Sequence, residues 1–202
     1  MCGRFALANP TPKFGEQDIS MLSELPASYN ISPGNNISVL KLDKGRITLK
    51  QIKWGIPFHS KIIINARQET AKEKYLFKHL FYSHRIIILA TGFYEWDKLK
   101  NPYYFFSDDV IGFAGLAKEE AVILTMNANK SVKKVHHRMP LIINPENIYE
   151  WLNPADKTPT IDSFVDYSSL KILKSHQVSK SINSPNNDNS GLIKPIFSAL
   201  FS

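Results

Sequence analysis

Thiols are almost absent from this 202-residue sequence: Cys2 is its only cysteine. That excludes an internal disulfide framework and a cysteine-rich zinc site, and it is neutral about redox compartment. Long hydrophobic runs are missing too. None approaches the roughly 18 to 20 apolar residues of a membrane-spanning helix, and the first residues lack the basic-then-apolar order of a secretory signal. The expectation is an intracellular chain. Acid is in deficit, with 18 Asp and Glu against 25 Lys and Arg and a formal net charge of +7. Such a balance favours a polyanionic partner through counterion release, and fits a ligand-free basic surface equally well. There is no internal repeat and no composition shift that marks a domain boundary. The 43% hydrophobic and 11% aromatic content suffices for one packed domain over residues 1–202.

The pattern is strand-rich with helices interspersed. Residues 37–42 and 46–54 are β-rich runs flanking Asp43-Lys44-Gly45, a connection suited to a hairpin. Segments 103–106, 111–116 and 121–125 read as further strands. The continuous apolar runs 62–64 and 86–90 read as short buried ones. Between those two runs, residues 69–83 predict a helix with Leu76, Phe77, Leu80 and Phe81 on one face. Asn144-Pro145-Glu146 predicts a second helix start, an N-cap followed by proline and an acid, running through Trp151. Segment 183–191, NSPNNDNSG, is too polar to pack and reads as a loop. The architecture expected is α+β: a mixed, largely antiparallel sheet curled toward a barrel, with a few flanking helices.

Four short islands carry chemistry. MCGRF places Cys2 where loss of Met1 leaves a thiol and a free α-amine on adjacent carbons. Such a 1,2-aminothiol captures an aldehyde twice, the amine forming an imine and the thiol then closing a five-membered thiazolidine. The reference pKa values of the two groups, about 8 and about 8.5, leave a nucleophilic fraction of each near neutrality. Taken alone, Cys2 reads first as a small apolar residue of a first strand with Phe5 and Leu7, since free cysteines are usually buried and inert. In INARQET, Asn65 follows an apolar run and its amide can orient a reacting group, while Arg67 adds a cation; the alternative is a turn and helix cap. In TGFYEWDK, Glu95 stands between Tyr94 and Trp96, surroundings that raise a carboxyl pKa, or it pairs with Lys98 at the surface. In VHHRMPL, two histidines and an arginine follow Lys130, Lys133 and Lys134, combining a proton shuttle with phosphate-binding charge. Adjacent histidines on a strand point to opposite faces and no Cys, Asp or Glu spacing completes a ligand set, so neither metal nor cofactor is expected.

In this order, MCGRF, YNISPG at 29–34, WG at 54–55, NARQET, GFYEW and HHRMPL resemble the motif series of the SOS-response-associated peptidase (SRAP) family, over roughly residues 1–180. The segment 176–189 resembles that family's C-terminal part. The resemblance implies a protein that senses and shields abasic sites in single-stranded DNA. It does so by a thiazolidine crosslink between the ring-opened sugar and the mature Cys2, after autocatalytic removal of Met1. It implies that Cys2 is the nucleophile, that Asn65 positions its α-amine, that Glu95 acts as general acid or base, and that His136 assists ring opening and proton transfer. Arg4, Arg67 and Arg138 would hold phosphates, and Asn30, Pro33, Trp96 and Thr125 would line the cleft near the lesion. A monomer is implied as well, placed in the cytoplasm or nucleoid if the source is bacterial.

The sequence departs from the family pattern in one place. WGIPFHSKIIIN lacks the paired tryptophans that some relatives carry there, and Phe58 with Lys61 stands in their place. Two other classes compete with the leading reading. An N-terminal-cysteine amidohydrolase would attack a small amide and form no covalent DNA product. A non-covalent single-strand-binding module would be indifferent to the lesion and to Cys2→Ala.

Overall fold

The computed structural model describes residues 2–196 apart from 9, 12, 21, 23–26 and 154–160. Met1, whose removal the resemblance implies, lies outside the described residues. The chain begins with β1 (Arg4–Leu7), a small hairpin of β2 (Lys13–Phe14) and β3 (Gln17–Asp18), and β4 (Ser28–Ile31). A long hairpin follows, β5 (Asn36–Asp43) and β6 (Arg46–Trp54). Its two-residue loop places Lys44 at φ 47° and Gly45 at φ 79°. Both angles are positive, as a type I′ turn requires, which is why the glycine-containing connection foretold the hairpin.

Next come a second small hairpin, β7 (Ile56–Phe58) and β8 (Lys61–Ile63), then β9 (Asn65–Arg67). Two helices, α1 (Gln68–Ala71) and α2 (Tyr75–Ser83), stand where the sequence pattern predicts one. The helix breaks at residues 72–74, where Lys74 takes an extended backbone (φ −67°, ψ 131°) as the N-cap of α2. The amides of Glu73 and Lys74 both turn back to the Thr70 carbonyl. Beyond the break, Phe77, Leu80 and Phe81 bury their side chains as the helical periodicity requires.

The longest strands form the next hairpin: β10 (Arg85–Trp96) and β11 (Pro102–Ala117). β11 runs unbroken through the two separate segments expected there. β12 (Glu120–Asn127), β13 (Arg138–Pro140) and β14 (Ile142–Ile143) follow. Asn144 accepts a hydrogen bond from the Glu146 amide and starts a 3-10 turn that leads into α3 (Ile148–Leu152). After α4 (Ile161–Leu170), β15 (Lys174–Gln177) adds to β11.

One sheet curls into a closed ring of hydrogen bonds. β11 pairs β12, β12 pairs β6, β6 pairs β5, β5 pairs β10, and β10 pairs back to β11. Of these, only β12 against β6 is parallel, so the sheet is mixed and largely antiparallel. The ring encloses an apolar core in which residues 86–90 are fully buried. Burial on both faces explains their unbroken hydrophobic run. Phe5, Phe93, Phe105 and Phe113 interlock there with centroid distances of 5.2 to 5.9 Å, counting the Phe5–Trp54 contact. The run 62–64 differs. It was expected to be buried; Ile63 and Ile64 are partly buried against the core, but Ile62 is 57% exposed in the β7–β8 hairpin, a separate two-stranded sheet among the described residues.

The polar segment 183–191 lacks helix and strand over 184–189, yet it is docked by hydrogen bonds. Asn30 Nδ2 lies 2.9 Å from the Ser184 carbonyl and 2.7 Å from that of Asn187, and Asp188 accepts from the Ser28 hydroxyl. Among the described residues, no helix is long and apolar enough to cross a membrane.

Candidate active site

β1 lies beside β10 with Arg4 opposite Tyr94 and Phe5 opposite Phe93. This antiparallel register carries the residues just before Arg4 toward Glu95 and Trp96. Cys2 is fully buried, and its thiol donates to the Arg4 carbonyl at 3.6 Å. Burial first, and then the charge of Glu95, push the thiol well above its ordinary range. Cys2 is therefore a protonated thiol beside a carboxyl group.

Asn65 reaches the same place from the other side. β9 runs parallel to β12, with Asn65 opposite Ile123, and Asn65 Nδ2 donates to the Cys2 carbonyl at 2.9 Å. Its Oδ1 is buried without a hydrogen-bond partner among the described residues, an acceptor left over beside the residue 2 backbone.

Glu95, only 2% exposed near the end of β10, has its carboxyl pushed up to about 7 by burial. His136 Nδ1 lies 3.6 Å from Glu95 Oε2, and 3.0 Å and 3.1 Å from the carbonyl oxygen and amide nitrogen of Arg138. The tautomer decides whether Nδ1 donates to that carbonyl or accepts from that amide. Burial holds the His136 imidazole below its ordinary value. With the histidine lowered and the carboxyl raised, Glu95 gains and loses its proton near pH 7 beside a neutral imidazole, as a general acid–base group should.

Two open grooves flank this centre. One, of about 650 Å³, is lined by Phe58, Asn65, Arg67, Lys74, Tyr75 and Phe77 among others. Phe58 is 43% and Tyr75 98% exposed, so two aromatic rings stand in solvent beside two cations. The other, of about 550 Å³, runs between the β10–β11 turn and the segment before β13, with Trp96, His136, Lys98, Lys100, Lys133 and Lys134 on its walls. Asp97 also lines it, but its carboxylate is engaged by the amides of Leu99 and Asn101 and by the Asn101 side chain. Asn65 thus opens onto one groove and His136 onto the other.

The remaining candidates are placed as follows. Arg67 is exposed. Arg4 is half-buried, with Nη1 donating to the Gly3 carbonyl at 3.2 Å. Pro33 sits half-buried in the turn before β5, and Trp96 donates through Nε1 to Asn183 at 2.9 Å. Three others face inward. Asn30 ties the C-terminal segment, Thr125 is fully buried, and Arg138 is 5% exposed. All four terminal N–H groups of Arg138 have partners: Glu69 through both oxygens at 2.6 and 2.9 Å, Asn127 Oδ1 at 2.9 Å, and the Thr125 carbonyl at 2.6 Å. Sequence reasoning did not single out Glu69, Tyr75 or the pairing of Lys98 and Lys100 with Lys133 and Lys134. The lysines were visible as charge, but nothing in their spacing brings the two loops together. Among the described residues, no three His, Cys, Asp or Glu side chains cluster as a metal ion would need.

The SOS response associated peptidase (SRAP) profile matches residues 1–185. A similar protein is "Abasic site processing protein YoqW" of Bacillus subtilis (strain 168), 34% identical, with the match covering 96% of this chain and 99% of that one. "Abasic site processing protein YedK" of Escherichia coli (strain K12) is 27% identical over 97% of this chain and 100% of its own. Among solved structures, a phage-related protein from Bordetella bronchiseptica superposes with a TM-score of 0.72 at 25% identity, covering 89% of this chain and 95% of that one. A Bacteroides thetaiotaomicron protein reaches 0.75 at 20% identity, covering 97% and 100%, a likeness of fold.

Proposed function

The chain belongs to the SOS response associated peptidase family, and from that membership and the geometry around Cys2 we propose that it processes abasic sites in single-stranded DNA by crosslinking to them. The relatives' names support abasic-site processing. The observation that carries the covalent step is the convergence on Cys2: Asn65 Nδ2 at 2.9 Å from its carbonyl, and Glu95 close enough for its charge to act on the thiol.

The chemistry runs in three stages. Hydrolysis of the Met1–Cys2 peptide bond adds hydroxyl to the Met1 carbonyl and hydrogen to the Cys2 nitrogen, freeing the α-amine. Asn65 then holds residue 2 through its N–H donor, and the unfilled Oδ1 is available to accept from the new amine. At the lesion, His136 takes the proton of the sugar C1 hydroxyl and returns it to the ring oxygen as the C1–ring-oxygen bond breaks, opening the ring to an aldehyde. The amine attacks first, because the buried thiol holds its proton. Glu95, titrating near 7, donates to the carbinolamine hydroxyl, which leaves as water and gives an imine. The thiol adds across the C=N bond, sulfur to carbon and proton to nitrogen, with Glu95 passing the proton. Arg4, Arg67 and the groove lysines hold phosphates, while Phe58, Pro33 and Trp96 contact sugar and base faces.

The test is intact mass and denaturing-gel mobility after mixing protein with single-stranded DNA carrying one abasic site. Wild type lacking Met1 should give a heat-resistant adduct of the summed mass less one water. Cys2→Ala, and a chain with an extra residue kept ahead of Cys2, should give none. No adduct from fully matured wild type would sink the covalent reading.

A further inference from the structure

Arg138 reads from the sequence as a phosphate ligand, yet its four terminal N–H groups are consumed inside the protein and none is left for a backbone phosphate. Its partners come from two elements. Thr125 and Asn127 belong to β12, against which β13 pairs with Asn127 opposite Arg138. Glu69 belongs to α1, which follows β9 without a break and is therefore fixed to the strand that carries Asn65. The Arg138 main chain in turn holds the His136 ring through Nδ1. One bidentate ion pair thus joins the segment bearing Asn65 to the segment bearing His136.

We propose that Glu69 is a positioning residue: by gripping Arg138 with both carboxylate oxygens it sets the spacing between Asn65 and His136 across Cys2. The proposal rests on the crosslinking function above. Bidentate geometry suits this task, since two parallel N–H···O bonds fix an angle as well as a distance. The distance that depends on it is the 3.6 Å between His136 and Glu95, already longer than a hydrogen bond. A further slip of a few tenths of an ångström moves the imidazole away from the carboxyl beside which it works. Glu69 itself lies on the basic face beside exposed Arg67, with 37% of its side chain exposed. A role in attracting DNA is therefore opposed by its charge, and binding and chemistry should respond to its removal in opposite directions.

The experiment compares wild type, Glu69→Gln and Glu69→Asp, each matured and checked for folding by circular dichroism. Affinity is measured on a strand carrying a tetrahydrofuran, an abasic analogue with no aldehyde, and the single-turnover crosslinking rate on a natural abasic strand at saturating protein. Glu69→Gln should bind as tightly as wild type or more tightly, and crosslink about 10- to 100-fold more slowly. Glu69→Asp, with its charge kept and its reach shortened, should fall between. If Glu69→Gln does not fold, Glu69→Asp carries the comparison. An unchanged saturating rate, or a loss fully explained by weaker binding, would overturn the proposal. If wild type itself forms no adduct, the crosslinking function fails separately. The positioning claim is then decided by the imidazole NMR signals of His136 in wild type and the variants, and identical signals would refute it.

Discussion

At the scale of single residues, the centre is defined by where protons rest. Burial raises Glu95 to about 7, and the sign of its effect on stability follows. The folded state holds this proton more tightly than the unfolded chain, so the contribution is complete below the usual carboxylate pKa and is lost as pH rises through 7. A shift from about 4.3 to 7 corresponds to about 3 to 4 kcal/mol by linkage. His136 acts oppositely: its lowered pKa gives stability that is present above the ordinary histidine range and lost as pH falls. The two partly cancel in wild type, so the prediction is for a difference. Relative to Glu95→Gln, wild type should have its largest advantage at and below about pH 4 and lose most of it by pH 8, read from urea melts across the range. A pH-independent difference would mean that Glu95 is not held protonated by burial. The same variant should crosslink about 10² to 10⁴ times more slowly at neutral pH, the range expected for a lost general acid.

At the scale of elements, the β10–β11 hairpin delivers Glu95, and its close packing makes it the part most sensitive to a small change. A register irregularity falls between Ala90 and Gly92, where Thr91 turns its hydroxyl to β1, accepting from the Ala8 amide and donating to the Ala6 carbonyl. At Gly92 a Cβ would stand 2.5 Å from the Phe105 carbonyl and 2.5 Å from the Tyr104 hydroxyl. Gly92→Ala must therefore part the two strands three residues before Glu95. It should cost about 1 to 3 kcal/mol in a denaturant melt and slow crosslinking as well. A loss below about 0.5 kcal/mol, the scale of an ordinary surface substitution, would show that the hairpin yields freely. Such close approaches are not legible in a sequence, whereas the β5–β6 hairpin was, because Lys44-Gly45 accepts the positive φ angles of its loop. The run 62–64 misled at Ile62 alone, because three isoleucines look alike in sequence although Ile63 and Ile64 pack against the core and Ile62 faces solvent. The motifs singled out Cys2, Asn65, Glu95 and His136, which the fold brings together. The inward turn of Arg138 was not legible, because its partner Glu69 lies 69 residues away and the sequence displays the charge without its satisfaction.

At the scale of the whole molecule, the ring of strands explains why residues from 2 to 136 meet at all: β10 is shared by β1, β5 and β11, and β12 by β6, β9 and β13. The site then opens to solvent through two grooves, and the formal charge of +7 acquires a direction. Arg67 and Lys74 stand on one side, with Lys98, Lys100, Lys133 and Lys134 on the other. If a strand crosses the centre from groove to groove, each lysine it meets releases a counterion and steepens the salt dependence of binding, by about 0.7 in log K against log salt per phosphate on single strands. Replacing Lys133 and Lys134 together by alanine should therefore make the slope shallower by about 1.4, and weaken binding without regard to base sequence. The measurement is titration of a tetrahydrofuran-containing strand between low and moderate salt, so that no covalent product distorts the equilibrium. Lys50→Ala, on an exposed position of β6 outside both grooves, serves as the comparison and should leave the slope unchanged. If the double variant keeps the wild-type slope, the strand does not run through the second groove, and its lysines are a solvated surface that only raises the net charge.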